Sequence, residues 1–260
     1  MILAALHIAI LALAQPAATV RRAAAELAPG SSFSIGFPEM PPTLYALDTR
    51  EVRKAQMTVY LPRNYDRSRR FPLLIFLSGG NGGGGGNPGV ARGICEDRDF
   101  VCVSIPLFKA VDPKGPGGEI IMRDADARVM WPLFRTMLAR LEEAVPNIDP
   151  AHRVLGGFSN GAHATQGLID QSNGERARRF SAFFFVEGGG RLQHYELLKG
   201  KPFLMVYGSE KSRKRAAEIA DAARAAGART TLLAMNNVGH AFPATEYPAV
   251  RTWLREAALK

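Results

Sequence analysis

Short apolar runs that alternate with helix-like stretches constrain this chain more than any other feature. The run Phe71 to Leu77 (FPLLIFL) contains no polar residue, which is typical of a strand buried on both faces of a sheet. The runs with the same character are Phe100 to Pro106, Val154 to Phe158, Ala182 to Val186, Phe203 to Tyr207 and Thr230 to Met235. Leu44 to Asp48 and Gln56 to Leu61 resemble an opening hairpin.

Helix-like segments lie between these runs and complete the prediction of the fold class. They are Pro132 to Val145, Gly161 to Ile169, Lys211 to Ala226 and Glu246 to Leu259. Pro132 is expected in the first turn of its helix, where its missing N–H costs nothing. Strands alternating with helices predict an α/β fold with a mostly parallel sheet of about eight strands and helices on both faces. In such a sheet, chemistry lies in the loops that follow the carboxyl ends of strands.

The composition narrows the class of protein further. The chain has 260 residues, of which 47% are hydrophobic and 22% charged, as expected for one globular domain of ordinary composition. Two cysteines and five histidines exclude a disulfide-rich small fold, and no metal or cofactor is predicted. The net charge of +9 favours anionic neighbours. However, the basic clusters Arg67 to Arg70, Arg176 to Arg179 and Lys211 to Arg215 are expected on solvated faces, so no nucleic-acid partner is predicted.

The N-terminal residues have the character of an export signal. Residues Met1 to Ala14 are apolar apart from His7 and end in Ala-Leu-Ala, which fits the small-residue rule for cleavage. The basic residues that usually begin an export signal are missing, because no Lys or Arg occurs before Arg21. The run is shorter than the roughly 20 residues of a membrane span, so no stable membrane insertion is predicted. We expect a signal peptide at 1–14, a lead-in or linker at 15–42 and a single catalytic domain at 43–260. The alternative is a buried N-terminal helix.

Export would place the mature chain in a secreted or periplasmic, oxidising setting. A disulfide between Cys95 and Cys102 would survive there. Two buried free thiols are an equally acceptable reading of this pair.

The motif G-x-S-x-G occurs at Gly157-Phe158-Ser159-Asn160-Gly161. It follows a predicted strand and precedes a predicted helix, which is the strand–turn–helix setting that a nucleophilic serine requires in this motif. Small neighbours allow the strand and the helix to approach closely, so that the Ser159 hydroxyl projects from the sheet. The alternative is a simple turn in which Ser159 caps the helix.

His240 is the candidate base. It follows the last apolar run, 81 residues after Ser159, and imidazole can take a serine proton near neutral pH. The alternative is a loop histidine bonded to the backbone. His163, four residues past Ser159 on the next helix, is expected to have a packing role.

These motifs resemble the α/β-hydrolase superfamily from about residue 41 to the end of the chain. The segment Val59 to Asp66 (VYLPRNYD) is similar to the entry of secreted serine esterases. Gly157 to Ala162, with Ile148-Asp149-Pro150 before Arg153, resembles the polyhydroxybutyrate-depolymerase and feruloyl-esterase-like group. The resemblance implies an extracytoplasmic hydrolase that attacks a small-molecule or polymer-linked carboxylic ester through an acyl-enzyme. The alternatives are a serine peptidase of the same fold and a catalytically inactive hydrolase that serves as a binding module.

Two glutamates compete for the acid that such a site requires. Relatives place it about three residues past the glycine that ends the seventh strand, and counting from Gly208 reaches Lys211. Glu210 lies one residue short of that position and is preferred on strand order. Glu187 is the alternative acid, because it ends the aromatic run Ala182 to Val186 and a buried carboxylate needs partners.

The oxyanion of an acyl-transfer intermediate needs two N–H donors. The backbone of Asn160 is expected to supply one, and the glycine loop near Gly80 or Asn81 the other. Many relatives have His-Gly where this chain has Ser78-Gly79-Gly80. The substrate pocket is expected to be built by Leu107 to Met122 and Gly188 to Lys199.

Overall fold

The computed structural model describes residues 27–39, 56–80, 88–105, 124–236 and 238–260. Its strands are β1 (Ser32–Gly36), β2 (Gln56–Tyr60), β3 (Phe71–Leu77), β4 (Val101–Ser104), β5 (Ile148–Phe158), β6 (Ala182–Val186), β7 (Pro202–Tyr207) and β8 (Arg229–Ala234). Its helices are α1 (Gly89–Cys95), α2 (Asp124–Ala144), α3 (Asn160–Gln171), α4 (Glu175–Arg179), α5 (Glu210–Ala225) and α6 (Tyr247–Trp253). A π-helical turn (Leu254–Ala258) continues α6.

The strands form one sheet in the order β1-β2-β4-β3-β5-β6-β7-β8. All neighbours from β4 to β8 pair in parallel, whereas β2 pairs antiparallel with both β1 and β4. The predicted class, a mostly parallel sheet of about eight strands, is confirmed. Every residue of β6 is buried, because one apolar cluster with α2, α3 and α5 covers one face of the sheet and a second with α1 and α6 covers the other.

Strand β1 lies inside the segment that the sequence suggested as a lead-in at 15–42. It pairs with β2 from Ser32 opposite Tyr60 to Gly36 opposite Gln56, and the Phe37 side chain is fully buried in the core. The sheet therefore includes part of that segment. The predicted signal peptide at 1–14 and the proposed first hairpin strand, Leu44 to Asp48, lie outside the described residues.

Helix α2 begins earlier than the sequence suggested, so the expectation for Pro132 was wrong. The helix starts at Asp124, which places Pro132 in its interior. A proline there removes a backbone hydrogen bond at a cost of about 3 kcal/mol. The helix continues past it because Met130 and Phe134, on either side, are fully buried against the sheet, and tertiary packing of an apolar face outweighs local propensity.

Three further findings concern the cysteines, the potential metal ligands and the hydropathy of the helices. Cys95 and Cys102 are free thiols, both buried in the same apolar cluster, and burial raises the pKa of the Cys95 thiol. In the described ranges, no group of three potential metal-ligating side chains comes together. No helix in these ranges has the length and hydropathy needed to cross a bilayer.

The strand order determines where side chains can meet. Strands β5, β6, β7 and β8 are consecutive neighbours, so the residues that follow Phe158, Val186, Tyr207 and Ala234 lie along one edge of the sheet. Ser159, Glu187, Gly208 and the loop that leads to His240 are among these residues.

Candidate active site

Ser159 occupies a strained turn between β5 and α3. Its backbone angles are φ 53° and ψ −119°, and a positive φ is costly for a residue with a side chain. The turn is held from both sides. The Ser159 N–H donates to the Val186 carbonyl at 3.0 Å, and the Ser159 carbonyl accepts from the N–H groups of Ala162 and His163 at 3.0 and 3.1 Å. The surrounding structure thus fixes the position of the Ser159 side chain.

Three glycines make this turn sterically possible. A Cβ on Gly157 would collide with the backbone of Gly161, and a Cβ on Gly161 would collide with the Leu77 carbonyl. A Cβ on Gly188, after β6, would collide with the Ser159 carbonyl oxygen. The spacing of the predicted motif therefore reflects close backbone packing, and Gly188 extends that packing to the neighbouring strand.

The structure brings His240 to Ser159, as the sequence predicted. His240 Nε2 lies 2.9 Å from Ser159 Oγ, and its ring packs against Phe158 with a centroid separation of 5.2 Å. The loop that carries it is tied to the end of β7, because the Gly239 N–H donates to the Gly208 carbonyl at 2.9 Å. The His240 side chain remains 62% exposed, so solvent and substrate can reach the pair.

Glu187 lies on the other side of the His240 ring. Its Oε2 is 3.3 Å from His240 Nδ1. Its Oε1 accepts a short hydrogen bond from the Gly208 N–H and another from Ser212 Oγ at 2.5 Å. The side chain is only 4% exposed, and burial of a carboxylate is tolerated only with such donors. Ser159, His240 and Glu187 thus form one continuous hydrogen-bonded chain.

The structure does not bring Glu210, the preferred candidate for the acid, to His240. Glu210 is the first residue of α5, its side chain is 80% exposed, and its carboxylate pairs with Arg213 at 3.2 Å. The chain turns into the helix at Ser209, whose side chain caps it by accepting from the Ser212 N–H. This turn directs Glu210 outward, and the structure places the alternative acid, Glu187, against His240.

The expected oxyanion donors flank Ser159 as far as the structure describes them. Asn160 is the first residue of α3, and its Nδ2 donates to the Gly80 carbonyl at 2.9 Å. This bond ties the loop after β3 to the turn that carries Ser159. Gly80 has φ 70°, a conformation that glycine adopts without strain. Asn81 lies outside the described residues.

A cavity of about 600 Å³ opens beside Ser159 and His240. Its other lining residues are Asn160, His163, Glu187, Gly188, Met205, Val206, Tyr207, Ser209, Lys211, Ser212, Arg215 and Ala216. Of the two segments expected to build the pocket, one contributes Gly188, and the other, Leu107 to Met122, is outside the described residues. Lys211 and Arg215, which the sequence placed on a solvated face, are exposed and also line this cavity.

His163 also lines the cavity, rather than serving only as a packing residue. Burial, followed by the nearby charges of Arg215 and His240, lowers the pKa of the His163 imidazole to about 4. The ring is therefore neutral at neutral pH. It can take part in a hydrogen bond with a substrate without adding a positive charge.

Sequence reasoning missed Ser212, which helps to hold the Glu187 carboxylate. The signal was present but indirect, since Ser209 and Ser212 have the spacing of a helix-capping pair directly after a strand. The additional bond from Ser212 Oγ to Glu187 depends on how the first turn of α5 faces the end of β6. That orientation cannot be read from local spacing.

Comparison with known proteins is informative at the level of the fold. No family model and no curated protein matches the sequence. Among solved structures, esterase 2 of Thermogutta terrifontis phosphoramylated by tabun is 16% identical, covers 81% of this chain and 92% of its own, and has a TM-score of 0.56. This chain has the α/β-hydrolase fold. The butyrate-bound form of that esterase is 17% identical, with 84% and 92% coverage and a TM-score of 0.54. The Bacillus cereus carboxylesterase is 18% identical, with 74% and 90% coverage and a TM-score of 0.52.

Proposed function

We propose that this chain is a serine-dependent carboxylic ester hydrolase that works through an acyl-enzyme, with Ser159, His240 and Glu187 as its triad. The observation that carries the proposal is the continuous chain from Ser159 Oγ through His240 to Glu187, with separations of 2.9 and 3.3 Å. A nucleophile bonded to a base that is itself oriented by a third group is the arrangement that activates a serine hydroxyl.

The hydrogen-bond network determines how His240 acts. With its proton on Nδ1, the ring donates to Glu187 Oε2 and leaves Nε2 free to accept the Ser159 proton. Ser159 Oγ then bonds to the ester carbonyl carbon. The imidazolium that forms is stabilised by the buried Glu187 carboxylate, and it passes the proton to the departing alcohol. Water then repeats the sequence on the acyl-enzyme and releases the acid.

The negative charge on the carbonyl oxygen requires donors that are already in place. We assign one to the backbone N–H of Asn160, at the N-terminal end of α3, where the helix dipole also favours an anion. The second is assigned to the loop at Gly80 and Asn81. The bond from Asn160 Nδ2 to the Gly80 carbonyl supports this assignment, because it fixes the loop beside the nucleophile.

The triad geometry favours an active hydrolase over a catalytically inactive binding module. A module of that kind has no requirement for a strained Ser159 or for a buried carboxylate that faces the imidazole. The fold neighbours include an esterase and a carboxylesterase, so an ester is a better first substrate to test than a peptide. The finer resemblance to the polyhydroxybutyrate-depolymerase and feruloyl-esterase-like group is part of this proposal.

Export is the second part of the proposal. It rests on the apolar residues Met1 to Ala14 and on their small-residue ending. N-terminal sequencing of protein from the culture fluid or the periplasm is expected to find Gln15 first. A chain that keeps Met1 in the cytoplasm would contradict it.

The test of the catalytic proposal is loss of activity without loss of fold. Ser159→Ala and His240→Ala are each expected to remove nearly all hydrolysis of p-nitrophenyl acetate, and the double variant is expected to be little worse, because triad members act as a unit. Circular dichroism checks the fold. A fluorophosphonate followed by peptide mapping is expected to label Ser159. The matched controls Ser68→Ala and His194→Ala remove exposed groups and should leave activity unchanged. Retained activity in Ser159→Ala would refute the mechanism.

A further inference from the structure

The first turns of α5 present two basic side chains to the cavity beside Ser159. Lys211 and Arg215 both line it, and residues four apart lie on one face of a helix. Ser212, on the same side of the helix, donates to Glu187 Oε1. That contact fixes which face of α5 is turned toward the site.

Arg215 lines the same cavity as Ser159 and lies beside the loop that follows β6. Its Nη2 is 3.8 Å from the position that a Cβ on Gly190 would occupy, and Gly190 is two residues past Gly188, which packs against the Ser159 backbone. The Arg215 charge also acts on the imidazole ring of His163, and the His163 backbone N–H donates to the Ser159 carbonyl. A group bound by Arg215 would thus occupy the same cavity as a substrate attacked by Ser159.

These two cations differ from other basic residues of the same helix. Arg213 and Arg224 point outward and pair with Glu210 and Asp221 at 3.2 and 2.5 Å. In the part of the chain that the structure describes, no carboxylate pairs with Lys211 or Arg215. Because Lys211 and Arg215 line the cavity and have no carboxylate partner among the described residues, they offer a place for an anion from outside.

No acid of the described cavity lining competes for that place. Glu187 is the one acidic residue among the described lining residues, and its two oxygens are bonded to Gly208, Ser212 and His240. Because the Glu187 oxygens already have these partners, they do not pair with Lys211 or Arg215. The His163 ring is neutral at neutral pH and therefore adds no charge to the cavity lining.

We propose that the cavity selects esters that carry a carboxylate a few atoms from the scissile carbonyl, and that Arg215 and Lys211 bind this carboxylate. The inference rests on the proposed function and narrows its substrate class. The planar guanidinium of Arg215 suits a two-point bond to a carboxylate, and Lys211 adds a point charge beside it. Both side chains are exposed at the cavity mouth, so the attraction also draws anionic substrates to the site and weakens in salt.

Two kinds of ester share this chemistry. In one, the carboxylate belongs to the acyl part, as in a half-ester of a dicarboxylic acid. In the other, it belongs to the alcohol part, as in an acylated hydroxy acid. The probes are monoethyl glutarate and 3-acetoxybutanoate, each compared with the primary amide that replaces its carboxylate. The amides keep the size and lose the charge, and acid release is followed by pH-stat titration.

The measured quantity is the ratio of kcat/KM for the carboxylate over its matched amide. In the wild type this ratio is expected to exceed about 10 in at least one of the two pairs, as for a hydrogen bond to a charged group. Lys211→Gln/Arg215→Gln is expected to bring that ratio close to 1. The control Arg213→Gln/Lys214→Gln removes the same charge from the outer face of the same helix and should keep the wild-type ratio. Raising the salt to about 1 M should lower the wild-type ratio.

The outcomes separate this inference from the proposed function. If both amides are hydrolysed in a Ser159-dependent way and the wild-type ratio is near 1, the substrate inference is overturned and the ester hydrolase stands. An equal fall of the ratio in both double variants also overturns it, because general charge then explains the preference. If no ester is hydrolysed and no fluorophosphonate labels Ser159, the proposed function fails and the substrate inference fails with it.

Discussion

The ends of β6 and β7 are neighbours in the sheet, and each is followed by a glutamate with a different fate. Glu187, directly after β6, is buried, accepts two hydrogen bonds and faces His240. Glu210, three residues after β7, is exposed and pairs with a helical arginine. Strand order favoured the second, and the structure favours the first. The difference teaches that the hydrogen-bond donors around a carboxylate indicate whether it faces His240 better than its spacing from the end of a strand does.

The ends of β6 and β7 both contribute to the position of the carboxylate. The end of β6 supplies the carboxylate, and the end of β7 supplies the Gly208 N–H and, through α5, the Ser212 hydroxyl that hold it. A Cβ on Gly208 would collide with the Gly239 carbonyl, so this glycine also lets the His240 loop approach. The glycine expected to mark the position of the acid instead serves as its donor.

The largest expected effect is on turnover, and it tests the contrast between Glu187 and Glu210 directly. Glu187→Gln is expected to lower kcat by up to about 10⁴, because an amide favours the wrong tautomer of the imidazole. Glu210→Gln removes only an exposed ion pair and should stay within about twofold of wild type. Steady-state kinetics with p-nitrophenyl acetate measures both. An inactive Glu210→Gln beside a normal Glu187→Gln would return the acid to the end of β7.

The next-largest expected effect is on the free energy of unfolding at low pH. It contrasts the mostly buried His163 with the exposed His194. The folded pKa of His163 is lowered to about 4, below the unfolded value near 6.5, so the unfolded chain binds the proton more readily. The stability that depends on a neutral His163 is therefore complete above about pH 6.5 and is lost as the pH falls toward 4. The loss is roughly 2 to 3 kcal/mol.

Denaturant unfolding as a function of pH tests this expectation. His163→Gln should flatten the fall of unfolding free energy between about pH 6.5 and 4. The matched control His194→Gln removes a half-exposed ring and should keep the wild-type slope. An unchanged slope in His163→Gln would show that this ring does not titrate with a lowered pKa.

The smallest expected effect is on kcat, and it tests the two donors that β7 and α5 supply to Glu187. Ser212→Ala removes one hydrogen bond to Glu187 Oε1 and leaves the one from Gly208. Loss of one bond to a charged group is expected to lower kcat about tenfold. Ser212→Thr keeps the hydroxyl and should restore most of the rate. Equal rates in wild type, Ser212→Ala and Ser212→Thr would mean that the Gly208 bond alone orients the acid.

The fold was largely accessible from the sequence because strands such as β3 and β6 are apolar throughout. The bounds of β3 and β6 match the predicted runs Phe71 to Leu77 and Ala182 to Val186. Strand β5 extends six residues further toward the N-terminus than predicted, to Ile148, with a register shift against β3 near Phe71. The six added residues, Ile148 to Arg153, mix apolar and polar side chains with a proline, so no continuous apolar run marked them.

The site was accessible only where its geometry is local. Ser159 and His240 follow strands within short motifs, and the structure brings them together. The acid depends on which way a side chain points at the end of β6 and on donors supplied from β7 and α5. The positions of Lys211 and Arg215 at the cavity likewise depend on the rotation of α5 against the sheet.

The basic cluster Arg176 to Arg179 shows the same limit in the core. A run of arginines predicts a solvated face, but Arg176 is fully buried. Its guanidinium lies over the rings of Trp131 and Phe180, at 4.6 and 5.0 Å from their centroids. The contact with Trp131 joins residues that are distant in sequence, so the local run of arginines does not reveal it.

The position of His240 after β8 has a consequence for how the chain is made. Proteins are synthesised from the N-terminus, and β8 is the last strand of the sheet, paired in parallel with β7. A ribosome-bound chain that has released β5, β6 and β7 but not β8 holds Ser159 and Glu187 without a base between them. Under the proposed mechanism, hydrolytic activity starts only when β8 docks and the Gly239 N–H reaches the Gly208 carbonyl. Under that mechanism, a chain whose sheet is incomplete is expected to be inactive.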